Sequence, residues 1–268
     1  VADINNSQSN QPKNAQAKCD HIINYYGICH KTDAKNPQND KIHFIMQLAE
    51  YGSLKTLIDD EKVFPSDIPM PLVVYFAKGI TEGVNHLHTL EPMMLHRDLK
   101  PDNVLLSDKL ITLLSDFGLA KTKSTLTSLS SMGMKGTPNY MSPETIDEDD
   151  AAYSTKSDIF ALGMIFYELI TKKRPFEGKK VMNIMFAIRS GKRPTEELKQ
   201  SSCKNNEFKL LIEKCWAQEP NDRPSAEEIL KELDQIMNTV MEKFNFTTLD
   251  EIIQEYEAHL NANYENEN

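Results

Sequence analysis

The sequence predicts an α+β fold in which a short strand-bearing segment precedes a mostly helical body. Three observations carry this. The segments IINYYGI from Ile22 and KIHFIMQLA from Lys41 are rich in β-branched and aromatic residues, the composition of strands. Val73, Ala77, Ile80, Val84 and Leu87 recur at spacings of 4, 3, 4 and 3, one buried face of a helix, with Pro71 at its expected start. Ile159, Leu162, Phe166 and Leu169 belong to a stretch apolar nearly all round, which predicts a central helix. Further helices are expected near 180–190, 206–217 and 225–241, the last opened by a capping box of Ser225 and Glu228.

The ends differ from this body. Residues 3–16 are half Asn or Gln without apolar periodicity, so 1–16 is expected to be disordered. The globular domain is expected over 17–245. An acidic tail over 246–268 places Leu249, Ile252, Ile253, Tyr256 and Leu260 on one helical face, which suits an extra surface helix, one that docks on the domain or one that binds a partner.

The 268 residues suffice for one large domain or two small ones. Thirty Lys and Arg stand against 40 Asp and Glu, a formal net charge of −10, which argues against a nucleic-acid partner. The longest strongly apolar stretch, Ile159 to Ile170, is shorter than the roughly 20 residues of a membrane helix and contains Glu168. No membrane span is expected, and residues 1–16 lack the apolar segment of a leader. The four cysteines form no C-x-x-C pair, so neither a disulfide framework nor a zinc site is expected, and a reduced cytoplasmic setting is the default.

One run decides the functional reading. His96-Arg97-Asp98-Leu99-Lys100-Pro101-Asp102-Asn103 is followed, thirteen residues past Asn103, by Asp116-Phe117-Gly118, and later by Ser142-Pro143-Glu144. In order and at this spacing, these resemble the catalytic loop, the metal-binding motif and the close of the activation segment of protein kinases. The resemblance covers roughly residues 17–240. It implies a protein-kinase-like fold with an incomplete β-containing amino-terminal lobe, a hinge and a helical carboxy-terminal lobe. It implies transfer of the γ-phosphate of ATP, with Mg²⁺, to protein hydroxyls.

The chemistry accounts for the residue types. Phosphoryl transfer asks the enzyme mainly to position groups and neutralise charge. Asp98 is expected to orient the substrate hydroxyl and accept its proton, and Lys100 to reach the transferring phosphate as a point charge. Asn103 and Asp116 are expected to give hard oxygen ligands to Mg²⁺. By the same resemblance Phe44–Leu54 is the last strand and hinge. Met46 is then the gatekeeper, itself a core position; the backbones of Gln47 and Ala49 meet the adenine edge, and Leu105 forms its floor.

Scaffold roles follow too. Asp158 resembles the helix aspartate that bonds the catalytic-loop backbone, and Glu144 with Arg223 resembles the buried pair anchoring the activation segment. His96 is expected to pack beneath Phe117. Cys215-Trp216 before Pro220 and Arg223-Pro224 resembles the tyrosine-kinase-like branch. Lys100-Pro101 and Gly136-Thr137-Pro138 resemble the serine/threonine type, which implies Ser/Thr substrates. Hydroxyl residues crowd 122–131, so an upstream kinase acting there, its phosphate pairing with Arg97, is expected.

The family's phosphate grip needs a Gly-rich loop, a strand lysine and a helix glutamate. Here the first glycine is Gly27, the first glutamate is Glu50, and only Lys13 and Lys18 precede residue 30. Three accounts stand: a piece of a complete kinase, a pseudokinase serving as a binding or scaffolding module, or an enzyme using an unusual lysine. The presence of Asp98, Lys100, Asn103 and Asp116 favours the first, with weak activity expected of this stretch alone.

Overall fold

The computed structural model describes residues 18–31, 41–116, 137–146, 153–246 and 248–264. The expectations for 1–16, for the hydroxyl-rich 122–131 and for Phe117 beneath His96 lie outside them.

Strands β1 (Tyr25–Lys31) and β2 (Lys41–Met46) form an antiparallel pair with Gly27 opposite Ile45 and Cys29 opposite His43. Strand β1 begins three residues later than its apolar run, because Ile23 turns inward to the body, 2% exposed, with its N–H bonded to the Leu114 carbonyl, and β2 ends three residues before its run does. The rest of the pair faces outward: Tyr26, Ile28, Ile42 and Ile45 are all exposed.

The helical body is built on α2 (Met70–Thr89) and α3 (Thr155–Thr171). All five periodic residues of α2 are buried, and α3 is buried without interruption from Ser157 to Ile170. A capping box fixes the α3 start, Ser154 and Ser157 satisfying each other's backbone end. Around this pair lie α1 (Leu54–Asp59), α4 (Val181–Arg189), α5 (Thr195–Gln200), α6 (Asn206–Cys215) and α7 (Ala226–Phe244). Helix α7 opens on the expected Ser225–Glu228 box and packs along α2. A last helix, α8 (Leu249–Tyr264), docks on α2, where Tyr256 is 9% exposed.

A second antiparallel pair, β3 (Val104–Leu106) and β4 (Thr112–Leu114), joins the two parts. It packs on α2 and is held to the segment after β2 by bonds from Tyr51 N to Leu106 O and from Leu106 N to Gly52 O.

His21 clamps the chain across α2. Its Nδ1 lies 2.9 Å from the Thr112 carbonyl and its Nε2 2.8 Å from Glu82. The helix passes this close because residue 79 is glycine: a Cβ there would meet His21 Cε1 at 2.7 Å. Gly79→Ala is expected to cost about 1–3 kcal/mol of overpacking, offset by at most ~1 kcal/mol of helix propensity. A urea midpoint equal to or above that of the parent would show that the contact is soft.

Among the described residues no helix is long and apolar enough to cross a membrane.

Candidate active site

The site grows from Asp158 on α3. Its carboxylate, 2% exposed, accepts from His96 N–H at 3.0 Å, from Arg97 N–H at 3.0 Å, and lies 2.9 Å from His88 Nε2. Two consecutive backbone donors are thereby pinned to the central helix. The pinning holds Arg97 at φ 68, a left-handed conformation that an arginine adopts only under constraint, at about 1–3 kcal/mol. Its guanidinium rests over the Tyr153 ring, 5.5 Å from the centroid.

The residue after that strained one is Asp98. Asn103 donates through Nδ2 to the Asp98 carbonyl (2.8 Å) and to its carboxylate (3.0 Å). Lys100 Nζ donates to the same carboxylate oxygen at 2.8 Å and to Thr137 Oγ1 at 3.2 Å. Asp98 therefore has its second oxygen, Oδ1, turned away from these donors, and its side chain is about one-third exposed. A small cavity lined by Asp98, Thr137, Tyr140, Ser142 and Tyr153 lies beside it.

Asp116 is held at one remove. Ser115 donates through N–H (2.9 Å) and Oγ (3.0 Å) to the Asn103 carbonyl. Asp116 then takes φ 59, which breaks the strand and exposes its carboxylate, a conformation aspartate tolerates. With both Nδ2 bonds used on Asp98, Asn103 keeps its amide oxygen as an acceptor. Among the described residues no three His, Cys, Asp or Glu side chains gather into a metal cage. One amide oxygen and one carboxylate nevertheless fit Mg²⁺, which is commonly held by one or two protein oxygens plus substrate phosphates.

On the other side of β3, the segment after β2 is latched by a residue not singled out from sequence. Asn24 accepts the Gln47 N–H (2.8 Å) and donates Nδ2 to Gln47 Oε1 (2.8 Å). The backbone N–H and the side-chain Oε1 of Gln47 are thus both held by Asn24. Among the described residues neither the Gln47 carbonyl nor the Ala49 N–H is bonded within the chain, leaving an acceptor and a donor two residues apart. Leu105, half-buried, sits on β3 below, bridged to Ser53. Met46 departs from expectation: it is 37% exposed rather than a core side chain, because nothing among the described residues covers the outer side of β1–β2.

His96 is buried, and desolvation holds its imidazole below the ordinary range. Neither His88 nor Asn24 carried a sequence signal, since each meets its partner across a long stretch of chain.

A family model described as the protein kinase domain matches residues 8–233. The chain belongs to the protein kinase family. Among relatives of this kinase, receptor-interacting serine/threonine-protein kinase 2 of Bos taurus is 33% identical over 89% of the chain and 44% of its own length. Receptor-interacting serine/threonine-protein kinase 4 of Mus musculus is 33% identical over 84% of the chain and 27% of its own length. A probable serine/threonine-protein kinase of Dictyostelium discoideum is 32% identical over 78% and 12%. The chain thus spans less than half the length of each. The pair that anchors the close of its activation segment is formed as expected, Arg223 reaching Glu144 at 2.7 and 2.9 Å.

Proposed function

We propose that this domain transfers the γ-phosphate of ATP to serine or threonine hydroxyls of a protein substrate. The observation that supports it is the bonding of Asp98, Lys100, Asn103 and Thr137 into one network that leaves the second Asp98 oxygen outside it. Asp98, with one oxygen held by Lys100 and Asn103, keeps the other for the hydroxyl proton of the substrate. As the hydroxyl oxygen bonds to the γ-phosphorus, the bond to the β-γ bridging oxygen breaks, ADP leaves and the proton passes to Asp98. Lys100 offsets the charge on the moving phosphoryl group. Gln47 O and Ala49 N–H bind the adenine edge over Leu105, beneath Met46. Asn103 and Asp116 would hold Mg²⁺, which would supply neutralisation of phosphate charge.

The names of the relatives and the Lys100-Pro101 pattern favour serine and threonine over tyrosine, within the tyrosine-kinase-like branch. Phosphorylation within 122–131 by an upstream kinase and a cytoplasmic setting complete the reading. Since the Gly-rich loop and strand lysine are not in this stretch, the test uses the full gene-encoded protein. With labelled ATP and Mg²⁺ it should label arrayed serine and threonine peptides and not tyrosine ones, and chelation by EDTA should abolish the signal. No label above background, with no nucleotide binding in calorimetry, would overturn the assignment.

A further inference from the structure

The pairing of β1 with β2 continues one step past its last strand residues. Tyr25 lies opposite Met46, so Asn24 and Gln47 are the next two residues to face each other. Antiparallel residues that form a bonded pair normally exchange two bonds, each N–H going to the other's carbonyl. Here only one of the two is of that kind. Gln47 N–H donates to the Asn24 carbonyl at 2.8 Å. Asn24 N–H donates instead to the side-chain Oε1 of Gln47, at 3.4 Å. The Asn24 side chain donates through Nδ2 to that same oxygen at 2.8 Å and holds it there. The amide oxygen of Gln47 thus takes the bond that its own backbone carbonyl would otherwise receive. Among the described residues that carbonyl is left without a partner in the chain.

The groups that follow are treated differently. The Ala49 carbonyl accepts from Gly52 N–H at 3.1 Å, Tyr51 N–H donates to the Leu106 carbonyl, and the Gly52 carbonyl accepts from Leu106 N–H. Glu50 Oε2 accepts from Asp108 N–H at 2.7 Å. The segment is therefore tied at both ends, to Asn24 before it and to 106–108 after it. The bonds to Asn24 are made within the chain itself, so their ordering cost falls on folding and not on binding.

We propose that Asn24 and the side chain of Gln47 are positioning residues for the nucleotide. Asn24 keeps Oε1 as a surrogate acceptor for its own N–H, and the Gln47 carbonyl stays open for a donor on the bound base. The inference rests on the reading of 47–49 as the adenine edge and adds the pair of side chains that keeps that edge open. The donor that suits is an exocyclic amino group, beside a ring nitrogen able to accept from Ala49 N–H. The 6-amino group and the adjacent ring nitrogen of adenine are so arranged. A base carrying a carbonyl oxygen at that position sets acceptor against acceptor.

The test uses the full gene-encoded protein with Mg²⁺ and two nucleotides, ATP and purine riboside triphosphate, which lacks the 6-amino group. Gln47→Met removes the surrogate oxygen at similar length, so Asn24 N–H turns to the backbone carbonyl and competes with the base. The KM for ATP should rise about threefold to tenfold, the usual net worth of one hydrogen bond, while kcat holds. Asn24→Ala releases Oε1 and should act alike, and the two changes together should add little to either alone. Gln47→Glu keeps an oxygen in place and should recover most of the affinity lost in Gln47→Met. In calorimetry the analogue has no donor for the carbonyl, so its Kd should not move in any variant. Circular dichroism checks that the variants fold. Variants that weaken both nucleotides alike, or neither, overturn the proposal and leave the pair as scaffold. A parent that binds both nucleotides equally overturns the adenine reading itself, and the proposal with it, before any variant is compared.

Discussion

Asp98→Asn is expected to lower the phosphoryl-transfer rate of the full protein by about 10²–10⁴-fold, the usual contribution of a positioned proton acceptor. The geometry makes the substitution clean. Asparagine can still offer an oxygen to Lys100 Nζ and Asn103 Nδ2, at 2.8 and 3.0 Å in the parent, so the loop keeps its shape. What it loses is the basic oxygen facing the cleft. Nucleotide affinity, set by the hinge and by Asn103 and Asp116, should change little. Single-turnover kinetics with calorimetric ATP binding separates the two quantities. A variant that keeps its rate would show that Asp98 only shapes the loop, and one that loses ATP binding in proportion to rate would show that the carboxylate holds nucleotide.

The second large effect is on folding. Arg223 is fully buried, donates to both Glu144 oxygens, and also to the carbonyls of Ala217, Lys156 and Gln218 at 2.9, 2.8 and 3.1 Å. Arg223→Met strands the Glu144 charge and three carbonyls, and should cost about 3–5 kcal/mol in chemical denaturation. Converting both partners to apolar residues of similar size should cost much less, because no charge is left alone. The pair also sets a pH dependence. Burial alone would push the Glu144 carboxyl up, but the bonds and charge of Arg223 outweigh it and hold the group below its ordinary 4.5. A carboxyl lowered in the folded state stabilises fully above its unfolded value, and that stability drains as pH falls through the folded one. Glu144→Gln should therefore be less stable at pH 7 and show a shallower loss on acidification. An unchanged acid limb would move the effect to other carboxyls.

Much of this was legible in the sequence for physical reasons. Helix α2 declares itself because it must bury a long stripe, and a stripe leaves a period; α3 shows as an apolar run on every side, and α7 through its Ser225–Glu228 capping box. The residues of the loop from His96 to Asn103 are legible because the chemistry needs an acid, a cation and an amide within a few residues of each other. The short elements were not: β3, β4, α1 and α5 are three to six residues long, too few for a period to repeat. Contacts between distant stretches were also invisible, such as His88 on Asp158 and Asn24 on Gln47. The exposure of Met46 depends on which layers lie above it, and no local pattern encodes that.

The two halves of the cleft are anchored unequally. Asp98 and Asn103 hang from a carboxylate sunk in the central helix, whereas Gln47 and Ala49 extend from a two-stranded ribbon whose own side chains mostly meet solvent. Among the described residues that ribbon has two strands, and a two-stranded ribbon by itself is only marginally stable in water. Loosening the β1–β2 pair should therefore disorder the segment at 47–49 well before it disturbs the loop at 96–103.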